Sequence, residues 1–334
     1  MNGAAAPLRV GLIGAGDISR FHLLAWKKLP GVEVVAVCDL DPARARSRAD
    51  EFGIPAVHTD AAAMFAAERL QAVDIATWRG THGPLVRLAA DHGVDVLCQK
   101  PLAPTLAESE ALVRDVAGRV RLMVHENRRW APHFRTLREW IAAGKVGTIR
   151  QCVMTMHRSG FLADAEGKRP AVARAPYMAT EERLMIAEVL IHQLDVLRFL
   201  LGPLQVVAAR TLHTEPDMPG ETLATLMLET AAGAPVVLAG SFVAPGFGAA
   251  VADRLELIGS KGSVLMDDQA IELRGTEPMR APVDFKAAYQ ACFDSGIAHF
   301  VECLRTGAPF ETAPEDNLET LRLVEDAYRL AARH

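Results

Sequence analysis

The sequence lacks an excess of basic charge. Its 36 Lys and Arg residues are outnumbered by 41 Asp and Glu residues, which gives a formal net charge of −5 at pH 7. Proteins that bind nucleic acid or an anionic membrane usually carry a basic patch, and this composition does not indicate one. We therefore predict a small-molecule partner, with no nucleic acid and no membrane.

Cysteine is scarce, and the five residues include no Cys-x-x-Cys pair. Three of the five lie inside apolar, strand-like runs. This favours reduced, buried thiols in a cytosolic protein over a disulfide framework or a zinc site. The cysteines are Cys38, Cys98, Cys152, Cys292 and Cys303.

Long apolar runs are also missing. The N-terminus has no basic segment followed by an apolar core of signal-peptide length, so a cytoplasmic location is expected. Residues 231–252 carry no charge, but they include Pro235, Pro245 and four glycines. A strand, a loop and a second strand are therefore favoured there over a membrane span.

With 334 residues, of which 50% are hydrophobic, the chain is long enough for two domains with separate cores. Its first third alternates strands and helices, which is typical of a doubly wound parallel sheet. After about Pro132 several strands follow one another without intervening helices, which favours an antiparallel sheet. The predicted class is α/β, with a parallel sheet first and then an α+β domain with a mainly antiparallel, open-faced sheet.

A phosphate-binding turn is indicated near the N-terminus. Leu8 to Ile13 suits a buried parallel strand, and Gly14-Ala15-Gly16 follows immediately before a helical stretch. Gly14 permits a tight turn. Gly16 leaves room for a pyrophosphate at the helix start, where Asp17 and Ile18 lie and where the helix dipole favours negative charge.

An acidic residue completes this pattern. Asp39 ends the second predicted strand, 25 residues beyond Gly14, close to the spacing expected for the acid that binds the adenosine ribose. A carboxylate there would accept from a 2′-hydroxyl and repel a 2′-phosphate, so NAD is favoured over NADP. Ser19 occupies the third glycine position of the pattern. The alternative is an ordinary turn followed by a surface Asp.

The stretch from residue 184 to residue 201 predicts one apolar, buried helix that carries a polar stripe. At 100° per residue, Glu188, His192 and Asp195 fall within about 60° of one another. Such a stripe either lines a wet cleft or forms a satisfied network, because unpaired buried charges are costly. In a cleft, Glu188 orients the imidazole of His192. A structural histidine and a metal site are the alternatives.

A lysine follows the predicted strand 94–98. Open parallel sheets present ligands at the carboxyl ends of their strands, where Gln99, Lys100 and Pro101 stand. Lys100 beside a nicotinamide could donate a proton or a hydrogen bond to the substrate oxygen. An ordinary surface lysine is the alternative.

These motifs together resemble the glucose-fructose oxidoreductase and inositol dehydrogenase family (Gfo/Idh/MocA), over essentially the whole length. In the lysine motif, Gln99 replaces the family's Glu, and in the helix Glu188 replaces an Asp. The matching segments are GLIGAGDISRFH, IATWRGTHGPLV, VLCQKPLA, ENRRWAP, EVLIHQLDVLRFLLG and IGSKGSVLMDD.

The resemblance implies roles for individual residues. Lys100 and His192 are expected to form the catalytic pair, assisted by Glu188 and Asp195. The expected substrate contacts are Asp195, His157, Arg129 and Arg158. The expected cofactor contacts are Gly14, Gly16, Asp17, Ile18, Asp39, Thr77, His82, Lys100 and Asn127. No metal site is expected.

The resemblance also implies the domain roles. Residues 1–127 are expected to form a Rossmann domain for the dinucleotide and residues 128–312 a domain for substrate binding and oligomerisation. Residues 313–334 are expected to form a C-terminal helix that packs near the Rossmann domain.

The expected activity is NAD-dependent hydride transfer between nicotinamide and a hydroxyl carbon of a sugar, an inositol or a sugar acid. Residues 158–178 carry four basic and two acidic side chains, a net of 4 − 2 = +2, which hints at a sugar acid unless this is a solvated loop. The alternatives are an NAD-dependent glycosidase of the same fold and a non-catalytic sugar or NAD sensor.

A homodimer or homotetramer is expected, because the antiparallel sheet has no obvious local helices for its second face. The alternative is that the C-terminal helices cover that face. The apolar side chains predicted for it are Val206, Ala208, Leu226, Leu228, Val237 and Ala239.

Overall fold

The computed structural model describes residues 6–249 and 253–332. The chain forms two compact units. The first comprises residues 1–127 and 290–319, and the second comprises residues 128–289 and 320–334. The functional roles of ranges 1–127, 128–312 and 313–334 remain predictions.

The first unit contains a six-stranded parallel sheet in the order β3-β2-β1-β4-β5-β6. This is the strand order of a Rossmann fold, and it confirms the predicted parallel sheet. In such a sheet, ligands bind where the strand order reverses, which here is at the carboxyl ends of β1 and β4. The strands are β1 Leu8–Ile13, β2 Val32–Cys38, β3 Ala56–His58, β4 Ala72–Ile75, β5 Asp95–Gln99 and β6 Leu122–His125.

Both faces of this sheet are buried. Neighbouring residues of β1 show this, because Leu12 packs in one apolar cluster and Ile13 in another. Near-continuous apolar strands are what a sheet with two covered faces requires. The helices that follow these strands are α1 Asp17–Trp26, α2 Pro42–Phe52, α3 Ala61–Glu68, α4 His82–Asp91 and α5 Leu106–Val116.

The second unit contains an eight-stranded sheet in the order β14-β13-β12-β11-β7-β10-β9-β8. Only β7 and β10 run parallel, and all other neighbours are antiparallel, as predicted. The strands are β7 Ile149–His157, β8 Leu204–Leu212, β9 Leu223–Thr230, β10 Pro235–Ser241, β11 Asp253–Gly259, β12 Gly262–Met266, β13 Ala270–Gly275 and β14 Met279–Pro282.

The two faces of the second sheet differ. Across five paired strands one row of side chains is fully buried: Leu226, Leu238, Met154, Leu255 and Met266. The adjacent row is half-buried or exposed: Met227, Val237, Val153, Glu256 and Leu265. Because successive side chains on a strand point to opposite faces, the first row forms the core and the second the outer face.

This register corrects the set of apolar residues predicted for the exposed face. Val206, Leu226 and Leu228 are buried, whereas Ala208 is exposed and Val237 is half-buried. A bulge between Val206 and Ala208 shifts the alternation along β8. On β9 and β10 the cause is the register instead, because Leu226 pairs with Leu238 and Leu228 with Val236, which leaves Val237 and Ala239 on the opposite face.

The predicted single helix over 184–201 is two segments. Met185–Leu190 is a π-helix, and α8 follows it as Ile191–Leu201. A side chain at Gly240 would lie 2.6 Å from the Leu190 side chain, so glycine in β10 lets this segment pack on the sheet. The other helices are α6 Pro132–Ala142, α7 Pro170–Arg174, α9 Phe285–Thr306 and α10 Pro314–Ala331.

All five cysteines are free and buried, as predicted. Burial raises the pKa of Cys38 to about 11 and that of Cys152 to about 12, which keeps both as thiols. Over residues 6–249 and 253–332, no helix is long and apolar enough to span a membrane. Residues 250–252 of the uncharged stretch lie outside the described residues.

Candidate active site

The turn after β1 requires glycine at position 14. Gly14 has φ +100°, and a β-carbon there would lie 2.5 Å from the Ala76 carbonyl oxygen, which follows β4. The N–H of Gly14 donates to the Cys38 carbonyl at 2.8 Å. The turn is therefore held between the carboxyl ends of β2 and β4.

Gly16 has a different environment. It precedes α1, where no side chain caps the helix, and a β-carbon at Gly16 would meet no atom of the described residues within 4 Å. The first turn of α1 holds Asp17, which is exposed, and Ile18, which is half-buried. Open space beside an uncapped helix N-terminus fits a dinucleotide pyrophosphate.

Ser19 explains how the third glycine of the motif can be replaced. Its hydroxyl donates to the Gly16 carbonyl at 2.6 Å and accepts from Arg48 Nε at 3.0 Å. The side chain is buried against its own turn. Serine at this position therefore closes the first turn of α1 and leaves the space at Gly16 open.

Asp39 is anchored by backbone groups. Its Oδ2 accepts from the Ala15 N–H at 2.7 Å and its Oδ1 from the Asp41 N–H at 2.9 Å. A carboxylate has about four acceptor positions, so two remain for ribose hydroxyls. The next residue, Leu40, is 89% exposed and offers no cation for a 2′-phosphate. These residues fit NAD.

His82 connects two segments of the predicted cofactor site. Its ring is fully buried, with Nδ1 2.8 Å from the Pro101 carbonyl oxygen and Nε2 3.0 Å from that of Thr77. Thr77 is half-buried close to Gly14. His82 therefore fixes the segment after β4 to the segment that carries Lys100, while its contact with the cofactor remains a prediction.

Lys100 is half-buried and directly follows β5. Its backbone N–H donates to Oε1 of Gln99 at 3.1 Å, and the Lys100–Pro101 peptide bond is cis. Asn127, also predicted to contact the cofactor, is buried two residues after β6. Lys100 thus stands at the edge of the sheet where the sequence placed it.

No sequence pattern predicted the network beneath Gln99. The amide Nε2 lies 2.8 Å from His22 Nε2 and 3.1 Å from His125 Nδ1. His22 Nδ1 in turn lies 2.7 Å from Asp74 Oδ2. All four side chains are buried, from α1, β4, β5 and β6. These four residues are far apart in the sequence, so no local motif predicted that they bind one another.

In the second unit, Glu188 is buried in the π-helix and His192 is half-buried in the first turn of α8. The wheel angle of 100° per residue does not apply to Glu188, because a π-helix has i→i+5 hydrogen bonds. The spacing of His192 and Asp195 on α8 is unaffected. π-Helical turns are frequent at functional sites.

A buried carboxylate holds the start of this segment. Glu221 accepts from the backbone N–H groups of Leu184 at 3.2 Å and Ile186 at 3.0 Å. The Tyr328 hydroxyl donates to the same carboxylate and accepts from the Ala187 N–H at 3.2 Å. Burial and the Glu221 charge raise the pKa of Tyr328, so its hydroxyl stays protonated. No sequence pattern predicted that Glu221 and Tyr328 bind the start of this segment.

Arg129 and Asp195, both predicted substrate contacts, are brought together. Arg129 Nε lies 2.7 Å from Asp195 Oδ2, and Nη2 donates to Oδ1. Thr320 adds a hydrogen bond to Asp195 at 3.2 Å. Both charged side chains are almost completely buried. For Asp195 the structure therefore shows a satisfied network, which was one of the two outcomes expected for the polar stripe.

His157 and Arg158 follow one another at the end of β7. His157 is half-buried, and burial together with the Arg254 charge lowers its pKa. Arg158 is buried over the Phe242 ring at 5.3 Å, and burial lowers its pKa to about 10, although the Asp253 charge opposes this.

Asp253 joins this region to α8. It accepts from Gln193, the neighbour of His192, at 3.2 Å and lies 3.5 Å from Arg128 Nη2. Asp253 is buried at the start of β11, and no sequence pattern singled it out.

The positive charge of residues 158–178 is partly neutralised. Arg169 forms ion pairs with Glu215 at 2.9 Å and Asp217 at 2.6 Å, and neither acid was counted within the loop. This weakens the hint of a sugar-acid substrate. Within the described ranges, no group of three or more His, Cys, Asp or Glu side chains is arranged to hold a metal ion.

Comparison with known proteins identifies the family of both parts of the chain. Residues 8–126 match the family described as an oxidoreductase family with an NAD-binding Rossmann fold, and residues 134–265 match the GFO/IDH/MocA C-terminal domain. The chain therefore belongs to the Gfo/Idh/MocA family of NAD-dependent oxidoreductases, as the sequence motifs predicted.

Individual relatives cover almost the whole chain. A D-apiose dehydrogenase of Paraburkholderia graminis is 37% identical over 96% of this chain and 87% of its own length. An inositol 2-dehydrogenase of Rhizobium meliloti is 29% identical over 97% of both chains. An oxidoreductase of Agrobacterium radiobacter, solved with NAD+, L-tartaric acid and magnesium, is 31% identical, with a TM-score of 0.90 over 98% and 97% of the two chains.

Proposed function

We propose that this protein oxidises a hydroxyl group of a small polyhydroxylated substrate, with His192 accepting the hydroxyl proton and Lys100 polarising the same oxygen. The observation that carries the proposal is the half-buried Lys100 at the carboxyl end of β5, in the sheet whose glycine turn and Asp39 fit NAD. Parallel sheets of this order bind their ligands at that edge.

NAD would be held by backbone groups at Gly14, Gly16, Asp17 and Ile18, and by the Asp39 carboxylate. When bound, NAD+ accepts a hydride from the substrate carbon. Thr77, His82, Asn127 and the Lys100 side chain are proposed to line the rest of its site. Holding cofactor and substrate in one orientation supplies much of the rate.

In the second unit, the residues have separate proposed roles. Glu188 orients the His192 imidazole and raises its basicity, as a carboxylate does beside a general base. Asp195 and Arg129 bind each other, so we assign them to holding α8, with any substrate contact made through the remaining hydrogen-bonding positions. His157 and Arg158 are proposed to contact the substrate at the end of β7.

For the substrate, an aldose is the first candidate. Relatives 37% and 32% identical to this chain are named D-apiose dehydrogenase. In the loop 158–178, whose positive charge suggested a sugar acid, Arg169 is paired with two acids from outside the loop, Glu215 and Asp217. Inositols and sugar acids are the next classes, in keeping with the inositol 2-dehydrogenase and the tartaric acid complex among the similar proteins.

The test is NADH formation with D-apiose, other aldoses, inositols, aldonates and tartrate. Once a substrate is found, we expect Lys100→Ala and His192→Ala each to lower turnover by about two orders of magnitude or more, which is typical of general acid–base groups. NAD+ affinity should stay nearly unchanged. Glu188→Gln should have a smaller effect, because it keeps a hydrogen-bonding side chain.

Exposed residues of the same types provide matched controls: Lys27→Ala in the first unit and His213→Ala in the second. Both variants should turn over normally. Normal turnover of Lys100→Ala or of His192→Ala would remove that residue from the mechanism. Release of free sugar without net NADH would support the glycosidase, and ligand binding without any turnover would support the sensor.

We also propose a homodimer or homotetramer in a cytoplasmic protein. The support is the outer face of the second sheet, where Val207, Leu212 and Met227 are each about half exposed. Apolar surface of this kind is a common self-association site. Sedimentation at micromolar concentration should show a species larger than one 36.1 kDa chain, and Met227→Glu should dissociate it. A single 36.1 kDa species in the unmodified protein would reject the assembly.

A further inference from the structure

A buried chain of hydrogen bonds leads to Lys100. At each end of the chain a group that can only donate determines which atoms are donors and which are acceptors. At one end the Trp26 indole Nε1 lies 2.6 Å from Asp74 Oδ2. An indole N–H only donates, so this carboxylate oxygen is an acceptor. His22 Nδ1, 2.7 Å from the same oxygen, must therefore carry a proton and donate.

At the other end, the backbone N–H of Lys100 donates to Gln99 Oε1 at 3.1 Å. A backbone N–H also only donates, so the carbonyl oxygen of the amide must face Lys100. The amide nitrogen then faces the two imidazoles, at 2.8 Å from His22 Nε2 and 3.1 Å from His125 Nδ1.

The two ends agree on one assignment of protons. The amide nitrogen of Gln99 has two hydrogens and no lone pair for accepting, so both imidazole nitrogens that it faces must be acceptors. His22 is then neutral with its proton on Nδ1, and His125 is neutral with its proton on Nε2. Both rings pack against Phe293, with ring centroids 5.1 and 5.3 Å apart, so the two imidazoles are enclosed.

We propose that Gln99 is a positioning residue: neutral imidazoles of His22 and His125 hold its amide in one orientation, and its carbonyl oxygen fixes the backbone at Lys100. This inference rests on the proposed role of Lys100. It also gives a role to the Gln that stands in place of Glu in the lysine motif. A Glu carboxylate has no hydrogen to donate, so it could not satisfy two imidazole acceptors.

The first experiment determines the ring protons directly. Nitrogen-15 labelling of the 11 histidines and long-range proton–nitrogen correlation distinguish the two neutral tautomers and the imidazolium. His22→Asn and His125→Asn assign the two signals. We expect His22 protonated only on Nδ1 and His125 only on Nε2. A proton on Nε2 of His22, or on Nδ1 of His125, would overturn the proposal.

The second experiment measures positioning. Gln99→Glu keeps the size but removes both donors, and we expect kcat to fall at least tenfold while KM and the NAD+ dissociation constant change less than threefold. At least one of the two rings should become an imidazolium in the same spectrum. Gln99→Met, which removes donors and acceptor without adding charge, should lower kcat similarly and is the substitute if Gln99→Glu does not fold.

Gln71→Glu is the matched control. Gln71 is exposed and uses only its Oε1, which accepts from the Arg9 N–H at 3.0 Å, so the acid retains that bond and turnover should be normal. Normal kcat in both folded Gln99 variants would overturn the positioning role. Normal turnover of Lys100→Ala would reject the proposed function instead, whichever tautomers the rings show.

Discussion

The two compact units hold their candidate catalytic residues by different means. In the first, Lys100 and the glycine turn are held by backbone groups and by the hydrogen-bonded amide of Gln99. In the second, the helix that carries His192 is held by buried charges, chiefly the Arg129–Asp195 pair. Backbone and neutral bonds depend on shape and donor direction, whereas buried ion pairs depend on the presence of both charges.

The largest expected effect comes from breaking one of these ion pairs. Arg129→Met leaves the Asp195 carboxylate buried without its partner, and we expect the free energy of unfolding to fall by about 3–5 kcal/mol. Urea unfolding measures this. Adding Asp195→Leu should recover much of the loss, because no charge then remains buried. If Arg129→Met alone is as stable as the unmodified protein, the ion pair does not stabilise the second unit.

A buried histidine in the second unit predicts a pH dependence. His133 lies in α6, and burial, followed by the Arg128 charge, lowers its pKa from 6.5 to about 4, although Asp253 opposes this. The native ring stays neutral where the unfolded ring takes up a proton. Stability is therefore fully present above pH 6.5 and is lost as the pH falls toward 4, by about 3 kcal/mol.

Unfolding of His133→Leu across the same pH range tests this prediction. The variant should lose less stability than the unmodified protein between pH 6.5 and pH 4, since its side chain does not titrate. His213→Leu, an exposed histidine of the same unit, is the control. Equal pH slopes in the His133→Leu and unmodified proteins would contradict the prediction.

In the first unit the sensitive feature is backbone shape. Gly14→Ala forces a β-carbon to 2.5 Å from the Ala76 carbonyl at a φ of +100°, and we expect about 2 kcal/mol of destabilisation with weaker NAD+ binding. Gly53→Ala, with φ +71° and open space around it, should show only the smaller cost of the backbone angle. Equal losses in thermal unfolding would mean that the contact with Ala76 is immaterial.

The smallest expected effect is on the preference for NAD+ over NADP+, which we assign to the charge of Asp39 in the first unit. Its carboxylate, fixed by the Ala15 and Asp41 N–H groups, should repel a 2′-phosphate. We expect NAD+ to bind at least tenfold more tightly than NADP+, about 1.4 kcal/mol. Calorimetric titration measures both constants, and Asp39→Asn should narrow the ratio. Equal affinities in the unmodified protein would reject the role of Asp39.

The sequence predicted most where the signal is local. The apolar run of β1, the glycines after it and the acid after β2 lie within a short stretch of chain, and together they predicted a parallel sheet with an NAD turn. Lys100 was proposed for the same reason, since its position directly after a strand places it at the carboxyl edge of the sheet.

Local signals were less reliable in the second unit. The apolar stretch over 184–201 predicted a buried helix, but it did not predict that the first part, Met185–Leu190, is a π-helix. Glu221 and Tyr328, which are distant in sequence, bind the backbone at the start of this segment. In β8, the prediction placed Val206 on the outer face because it did not include the bulge after this residue, and Val206 is buried.

The sequence by itself determined the fold class, the NAD turn and the catalytic candidates, because periodicity and motif spacing are properties of neighbouring residues. Only the tertiary structure decided which polar groups bind each other. Asp195 was expected to contact substrate but is bound by Arg129, 66 residues away, and Gln99 is bound by His22, 77 residues away. Such pairs form because folding buries both partners together, and a buried polar group must find a hydrogen-bond partner wherever the chain brings one.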